Sequence, residues 1–116
     1  MNFSFPKSEK LKSRKTIELL FSEGKTITKF PIKVFFLPIE NANYTQAGFA
    51  VPKRNFKNAV DRNRIKRQLR EAYRLQKHLL KNENGLKFAI FFLYIGKEKL
   101  PYSKIETAMK SLIKKL

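Results

Sequence analysis

Residues 87–95 read KFAIFFLYI, eight apolar side chains in succession after one lysine, bounded by Gly85 and Gly96. Eight residues are far too few to cross a bilayer as a helix. Phe- and Ile-rich composition between two glycines is instead the pattern of a strand buried on both faces. Such a strand belongs inside a sheet and needs cover above and below, which the rest of the chain has to supply.

From Pro31 the text PIKVFFLPI alternates Ile32, Val34 and Phe36 with Lys33, Phe35 and Leu37, a strand-like period of two. The polar ENANYTQ turns the chain, and AGFAVP over 47–52 is a second short strand, antiparallel to the first, with Gly48 permitting close backbone approach. Ser13 can cap a helix carrying Ile17, Leu20 and Phe21 on one face, with Gly24 as its left-handed stop. A long helix starts at Asn58 or Asp61, both good N-caps, and runs to about Lys81, with Asn82 to Gly85 ending it. Its buried stripe is Ile65, Leu69, Ala72, Gln76 and Leu79, with Tyr73 and Leu80 at the edge. Ser103 caps a last helix with Ile105, Ala108, Met109, Leu112 and Ile113 on one side. The order is αββαβα, an α+β sandwich with one central mixed sheet. A chain of 116 residues makes one domain, residues 1–116, in which 1–12 form a loose basic arm.

The formal net charge is +17, whereas about 2 to 8 suffices to keep a small domain soluble. Such a field opposes folding through self-repulsion unless a polyanion neutralises it, and nucleic acid is the leading partner, an anionic membrane surface its competitor. There is no cysteine, which excludes disulfides and thiolate metal sites. The N-terminal MNFSFPKSEKLKSRK lacks the apolar run of a signal peptide, so a soluble, cytoplasmic protein is expected.

The charge is also patterned. Six of the seven arginines, Arg54, Arg62, Arg64, Arg67, Arg70 and Arg74, fall between positions 54 and 74, while lysine supplies most of the charge elsewhere. With Lys53, Lys57 and Lys66 they put nine cations in 22 residues, and Asp61 and Glu71 are the only acids from 53 to 81. A solvated face mixes signs. Lysine and arginine have nearly equal helix propensity, so the choice of arginine points to its planar fork, which grips phosphate bidentately and stacks on bases. On the long helix Asn63, Lys66, Arg67, Arg70, Arg74 and Lys77 lie within an arc of about 100°, nearly opposite Ile65, Ala72 and Leu79. Asn63 adds a side chain that both donates and accepts.

Evidence for catalysis by the chain itself is lacking. His78 is the only histidine and reads as a surface helix residue; the nine acids are scattered, with no paired carboxylates and no phosphate loop. The protein alone is expected to be inactive.

RNRIKRQLRE, preceded by AGFAVPKRNFKNAVD, resembles the signature of the bacterial ribonuclease P protein subunit: an RNR motif opening a long helix, then K-R-x-x-R-E, behind a short strand and a basic loop. Arg62, Asn63, Arg64, Lys66, Arg67, Arg70 and Glu71 match, and the resemblance runs from about Leu11 to the last helix. It implies a left-handed βαβ crossover through the basic helix, against the usual hand. It also implies a non-catalytic subunit of an endoribonuclease, monomeric within the ribonucleoprotein, that binds a catalytic RNA and the 5′ leader of precursor tRNA. Arg54, Arg62, Asn63, Arg64, Lys66, Arg67, Arg70 and Arg74 would face RNA. Phe21, Phe35 and Lys53 would form a leader cleft. Family members commonly carry Phe where Ile17 stands, and Ile cannot stack in the same way. Mg²⁺ would be held chiefly by RNA phosphates.

Two other partners fit the charge. A general RNA-binding module would use the basic helix on duplex phosphate without recognising a leader. DNA binding is disfavoured by the lack of a helix-turn-helix partner and of a dimerisation seam.

Overall fold

The computed structural model describes residues 5–39, 43–80 and 87–116. Its elements are α1 (Arg14–Glu23), β1 (Lys25–Lys29), β2 (Ile32–Ile39), β3 (Gln46–Ala50), α2 (Ala59–Gln76), β4 (Lys87–Tyr94) and α3 (Tyr102–Lys115), with short 3₁₀ turns at Lys7–Glu9 and Lys77–Leu79. The long helix was expected to run to about Lys81, but α2 stops at Gln76 and tightens into the 3₁₀ turn, after which Leu80 is already extended; the expected loop at Asn82 to Gly85 lies outside the described residues, as does part of ENANYTQ.

The sheet is four-stranded and mixed, in the order β1-β2-β4-β3. The apolar run is β4, and it is central. It pairs antiparallel with β2, setting Ile32 opposite Tyr94, Val34 opposite Phe92 and Phe35 opposite Phe91. It pairs in parallel with β3, setting Gly48 opposite Phe91, and α2 makes the crossover between these two strands. The 47–52 strand is therefore not antiparallel to the first, because β4 has inserted between them. Parallel pairing requires a long connection, and the 18-residue α2 provides it.

β1 was not foreseen. KTITK points only Ile27 inward, with its other four side chains exposed, so it shows no amphipathic signal; pairing with β2 makes it a strand. Its lysines suit a sheet edge.

Local starts and stops follow the chemistry with two differences. Ser13 caps α1, its Oγ accepting from the Thr16 N–H at 3.3 Å, and Asn58, not Asp61, caps α2, accepting from Val60 N–H at 2.9 Å. Gly24 is extended (φ −69°), not left-handed. Glycine is required there by proximity: a Cβ would stand 2.4 Å from the Leu20 carbonyl oxygen. α3 begins at Tyr102 with Pro101 at the cap position and no side-chain cap, so Ser103 already lies inside the helix.

The two faces of the sheet are covered unequally. On one, α2 and α3 bury Ile32, Val34, Ile90, Phe92 and Tyr94 together with Ile65, Leu69, Ala72, Tyr73, Ile105, Met109 and Leu112. Tyr73, expected at the edge of the stripe, is only 1% exposed, and burial pushes its hydroxyl pKa well up. Gln76, polar within the stripe, donates to the Glu106 carbonyl at 3.1 Å and so ties α2 to α3. On the other face α1 covers a smaller cluster of Leu11, Leu20 and Ala89, bordered by Ile17, Phe35, Leu37 and Phe91. A helix of ten residues is about 15 Å long, and strands of eight residues run about 27 Å. Burial on both faces of β4 is therefore complete at Ala89 and only partial at Phe91 and Leu93.

Residues 5–12, read as a loose arm, lie against β3. Leu11 is buried and donates its N–H to the Ala47 carbonyl at 2.9 Å. Phe5 sets its ring edge-on to Phe49 and Tyr73, and Glu9 pairs with Lys77 at 2.7 Å. An edge strand has unpaired backbone groups to offer, and the arm takes them.

Candidate nucleic-acid interface

The first candidate surface is built on the start of α2. After β3, Phe56 drops into the core against the Tyr94 ring at 5.9 Å, which leaves Lys53, Arg54 and Lys57 exposed on the loop around it. Arg62 reaches back over this loop, Nη1 donating to the carbonyls of Phe56 at 2.7 Å and Lys57 at 2.9 Å. One arm of its fork is thus engaged within the protein, and its role includes holding the loop. Arg62 therefore differs from Arg64, Arg67 and Arg70 in being partly committed to the protein itself. Nothing in the RNR text could reveal its two bonds, because the acceptors depend on the path of the loop.

Asn63, Arg64, Arg67 and Arg70 are exposed and make no ion pair among the described residues; Lys66 is half-buried. Arg74, one turn further on, holds Glu71 through two hydrogen bonds, one of them Nε to Oε2 at 3.1 Å. These bonds keep the Glu71 carboxyl below its usual range. Asp61 faces Lys99 at 3.2 Å. The exposed forks are therefore concentrated at Arg54, Arg64, Arg67 and Arg70, two to three turns of one helix and the loop before it. His78 is exposed in the turn after α2.

The second surface is the uncovered part of the α1 face. Phe21, 51% exposed, stands edge-on to Phe35 with centroids 4.8 Å apart and to Phe91 at 5.4 Å. Lys33 Nζ lies 5.2 Å from the centroid of Phe35. Ile17 packs in the same cluster as Phe35 and Phe91. Lys53 is exposed three residues past the end of β3, and no described contact joins it to the rings. Phe21, Phe35 and Ile17 are thus brought together in one cluster, and among the described contacts Lys53 stands apart from it.

Phe91 and Lys33 belong to this group and were missed. A period of two along KFAIFFLYI puts Ala89, Phe91 and Leu93 on one face, and the same period pairs Lys33 with Phe35, so the signal was present. Gly48 lies directly under the missed ring, where a Cβ would come within 2.9 Å of Phe91 Cδ1. Its close approach is to an aromatic side chain.

Among the described residues no group of three or more His, Asp or Glu could hold a metal ion, and the one carboxylate at the start of α2, Asp61, is paired. No described helix is long and apolar enough to cross a membrane.

Comparison with known proteins places the chain in a family. The family model described as Ribonuclease P matches residues 5–116. The "Ribonuclease P protein component" of Porphyromonas gingivalis is 41% identical, over 97% of this chain and 86% of the relative. That of Chlorobium phaeobacteroides is 35% identical over 83% and 75%. Among solved structures, the ribonuclease P protein from Thermotoga maritima superposes with a TM-score of 0.77 at 25% identity, over 93% of this chain and 97% of that one. The Staphylococcus aureus ribonuclease P protein shares the fold with the same score at 20% identity, over 91% and 93%. Matched along nearly its whole length by model, sequence and fold, the chain belongs to the ribonuclease P protein family.

Proposed function

We propose that this chain is the RNA-binding subunit of a ribonuclease P holoenzyme, which removes the 5′ leader of precursor tRNA and generates the mature 5′ end. The observation that carries the reading is the pairing of two unlike surfaces on one small domain. Exposed arginine forks along α2 suit the phosphates of a structured catalytic RNA. Half-covered rings beside α1 suit a single strand, whose unstacked bases each offer a face to an aromatic side chain.

On this reading Arg54, Asn63, Arg64, Lys66, Arg67 and Arg70 contact the catalytic RNA. Arg62 positions the loop and offers the rest of its fork, and Arg74 joins the contact by exchanging Glu71 for phosphate. Phe21, Phe35 and Phe91 receive the leader, with Lys33 and Lys53 on its phosphates and Ile17 contributing packing only. The two carboxylates of α2, Asp61 and Glu71, are each paired with a cation and lie far apart in sequence, which does not fit a protein-held metal. Mg²⁺ would be held by phosphates of the partner RNA and would there supply the Lewis acidity that phosphodiester hydrolysis needs. The protein supplies substrate affinity and charge neutralisation, acts as one copy per ribonucleoprotein in the cytoplasm, and is inactive alone.

Reconstitution with a bacterial ribonuclease P RNA at low Mg²⁺ tests this. Cleavage of precursor tRNA rises over RNA alone, and affinity depends on leader length. Equal affinity for precursor and mature tRNA would leave only a general RNA-binding module.

A further inference from the structure

Of the exposed rings that neither surface uses, one stands out. Phe30, in the turn between β1 and β2, is 64% exposed, the most exposed ring among the described residues. It has no ring partner there, unlike Phe21. The turn is nonetheless anchored, since Pro31 is buried and its carbonyl accepts the Ile95 N–H at 2.8 Å. A lone exposed ring is ordinary on a protein surface, so what singles this one out is its setting.

Its surroundings are open and basic. One hollow of about 400 Å³ is walled by Lys29, Phe30, Leu100 and Lys104. A second, of about 380 Å³, is walled by Phe30, Ile95, Lys97, Glu98 and Leu100. Leu100 also walls a third, of about 250 Å³, with Arg64, Gln68 and Lys99. Leu100 thus forms a shared wall between the hollows at Phe30 and the one bordered by Arg64 of α2. Lys29, Lys97 and Lys104 are exposed there against one acid, Glu98.

We infer that Phe30, flanked by Lys29, Lys97 and Lys104, is a second stacking site, and that its occupant is an unpaired nucleotide of the same RNA that α2 grips. The inference rests on the reading above that this RNA is the partner. The excess of lysine favours a polyanion, the free ring favours a base, and the Leu100 wall shared with the hollow at Arg64 favours the α2-bound RNA over the leader in the α1 cleft. A base stacked on Phe30 would set its phosphates within reach of the lysines on either side.

The chain has no tryptophan, so Phe30→Trp places a single reporter at the site. Titration with a bacterial ribonuclease P RNA quenches its emission over the range in which an independent filter assay shows assembly. Heparin, a polyanion without bases, leaves it unchanged. Phe30→Ala weakens assembly about tenfold at an unchanged salt slope, keeps the wild-type melting temperature, and keeps the preference for precursor over mature tRNA. Wild-type binding by Phe30→Ala, or unquenched tryptophan in an assembled complex, overturns the inference alone. Failure of the wild-type protein to bind the RNA overturns the underlying reading with it.

Discussion

Of the three helices that pack on the sheet, α1 and α2 solve different problems. α2 buries five residues, Ile65, Leu69, Ala72, Tyr73 and Gln76, while α1 buries only Leu20. A helix fixed along its whole apolar face can carry a dense row of like charges opposite, because packing offsets the repulsion. A helix fixed at one point cannot cover its sheet, and the rings left beside it remain available. One surface therefore uses charge with shape on a rigid support, the other uses uncovered aromatic area, and the sheet keeps them on separate faces.

The largest expected effect tests the rigid support. Leu69→Ala removes a fully buried side chain and should cost about 3 kcal/mol, read as a lower thermal midpoint. An unchanged midpoint would mean that α2 is not held by its stripe.

Next comes the shape of the charge. Replacing Arg64, Arg67 and Arg70 together by Lys keeps the net charge and helix propensity, so a purely electrostatic helix predicts wild-type assembly with the catalytic RNA. Fork geometry predicts a loss of more than about tenfold at an unchanged salt slope. Arg62 is left out of the set, because its bonds to the Phe56 and Lys57 carbonyls would mix folding with binding.

On the aromatic side, Phe21→Ala removes a ring that is half exposed. It should change stability by no more than about 1 kcal/mol, chiefly through lost contacts with Phe35 and Phe91. Leader-dependent affinity should fall about tenfold, measured as the ratio of precursor to mature tRNA binding in the holoenzyme.

The smallest effect concerns Arg74. Glu71→Gln releases its partner and should raise RNA affinity by about twofold to threefold at low salt. The Glu71 carboxyl titrates below its ordinary value. The pair is thus intact above that range and is lost only as pH falls through the lowered value. Wild-type assembly should accordingly stay level from pH 7 to about 5.

Much of this architecture was legible where periodicity is local. β2, β4, the stripe of α2 and the apolar side of α3 each repeat at the period of their element, and the arginine clustering stands out against a lysine background. Long-range features were not legible. The neighbour of β3 depends on which strand inserts beside it, β1 depends on pairing with β2, and the docking of Phe5 and Leu11 depends on an edge left open by the sheet. At the site, Arg67 and Arg70 could be read from the helical wheel, and Arg64 from the density of cations and the RNR motif. The bonds of Arg62 could not, since they depend on a loop folded over the helix start. The face of Phe91 was legible from the period of two, but its exposure was not: in an unbroken apolar run, every residue reads as core until the length of the covering helix is known.

The central claim is that the α2 face and the α1 cleft act separately, and the most direct measurement is the precursor-over-mature tRNA affinity ratio in holoenzymes carrying either variant at saturating protein. The account predicts that Phe21→Ala lowers the ratio while assembly with the catalytic RNA stays at wild type, and that the Arg64, Arg67 and Arg70 replacement weakens assembly while the ratio, once assembly is saturated, is unchanged. Loss of both properties together in both variants would contradict it.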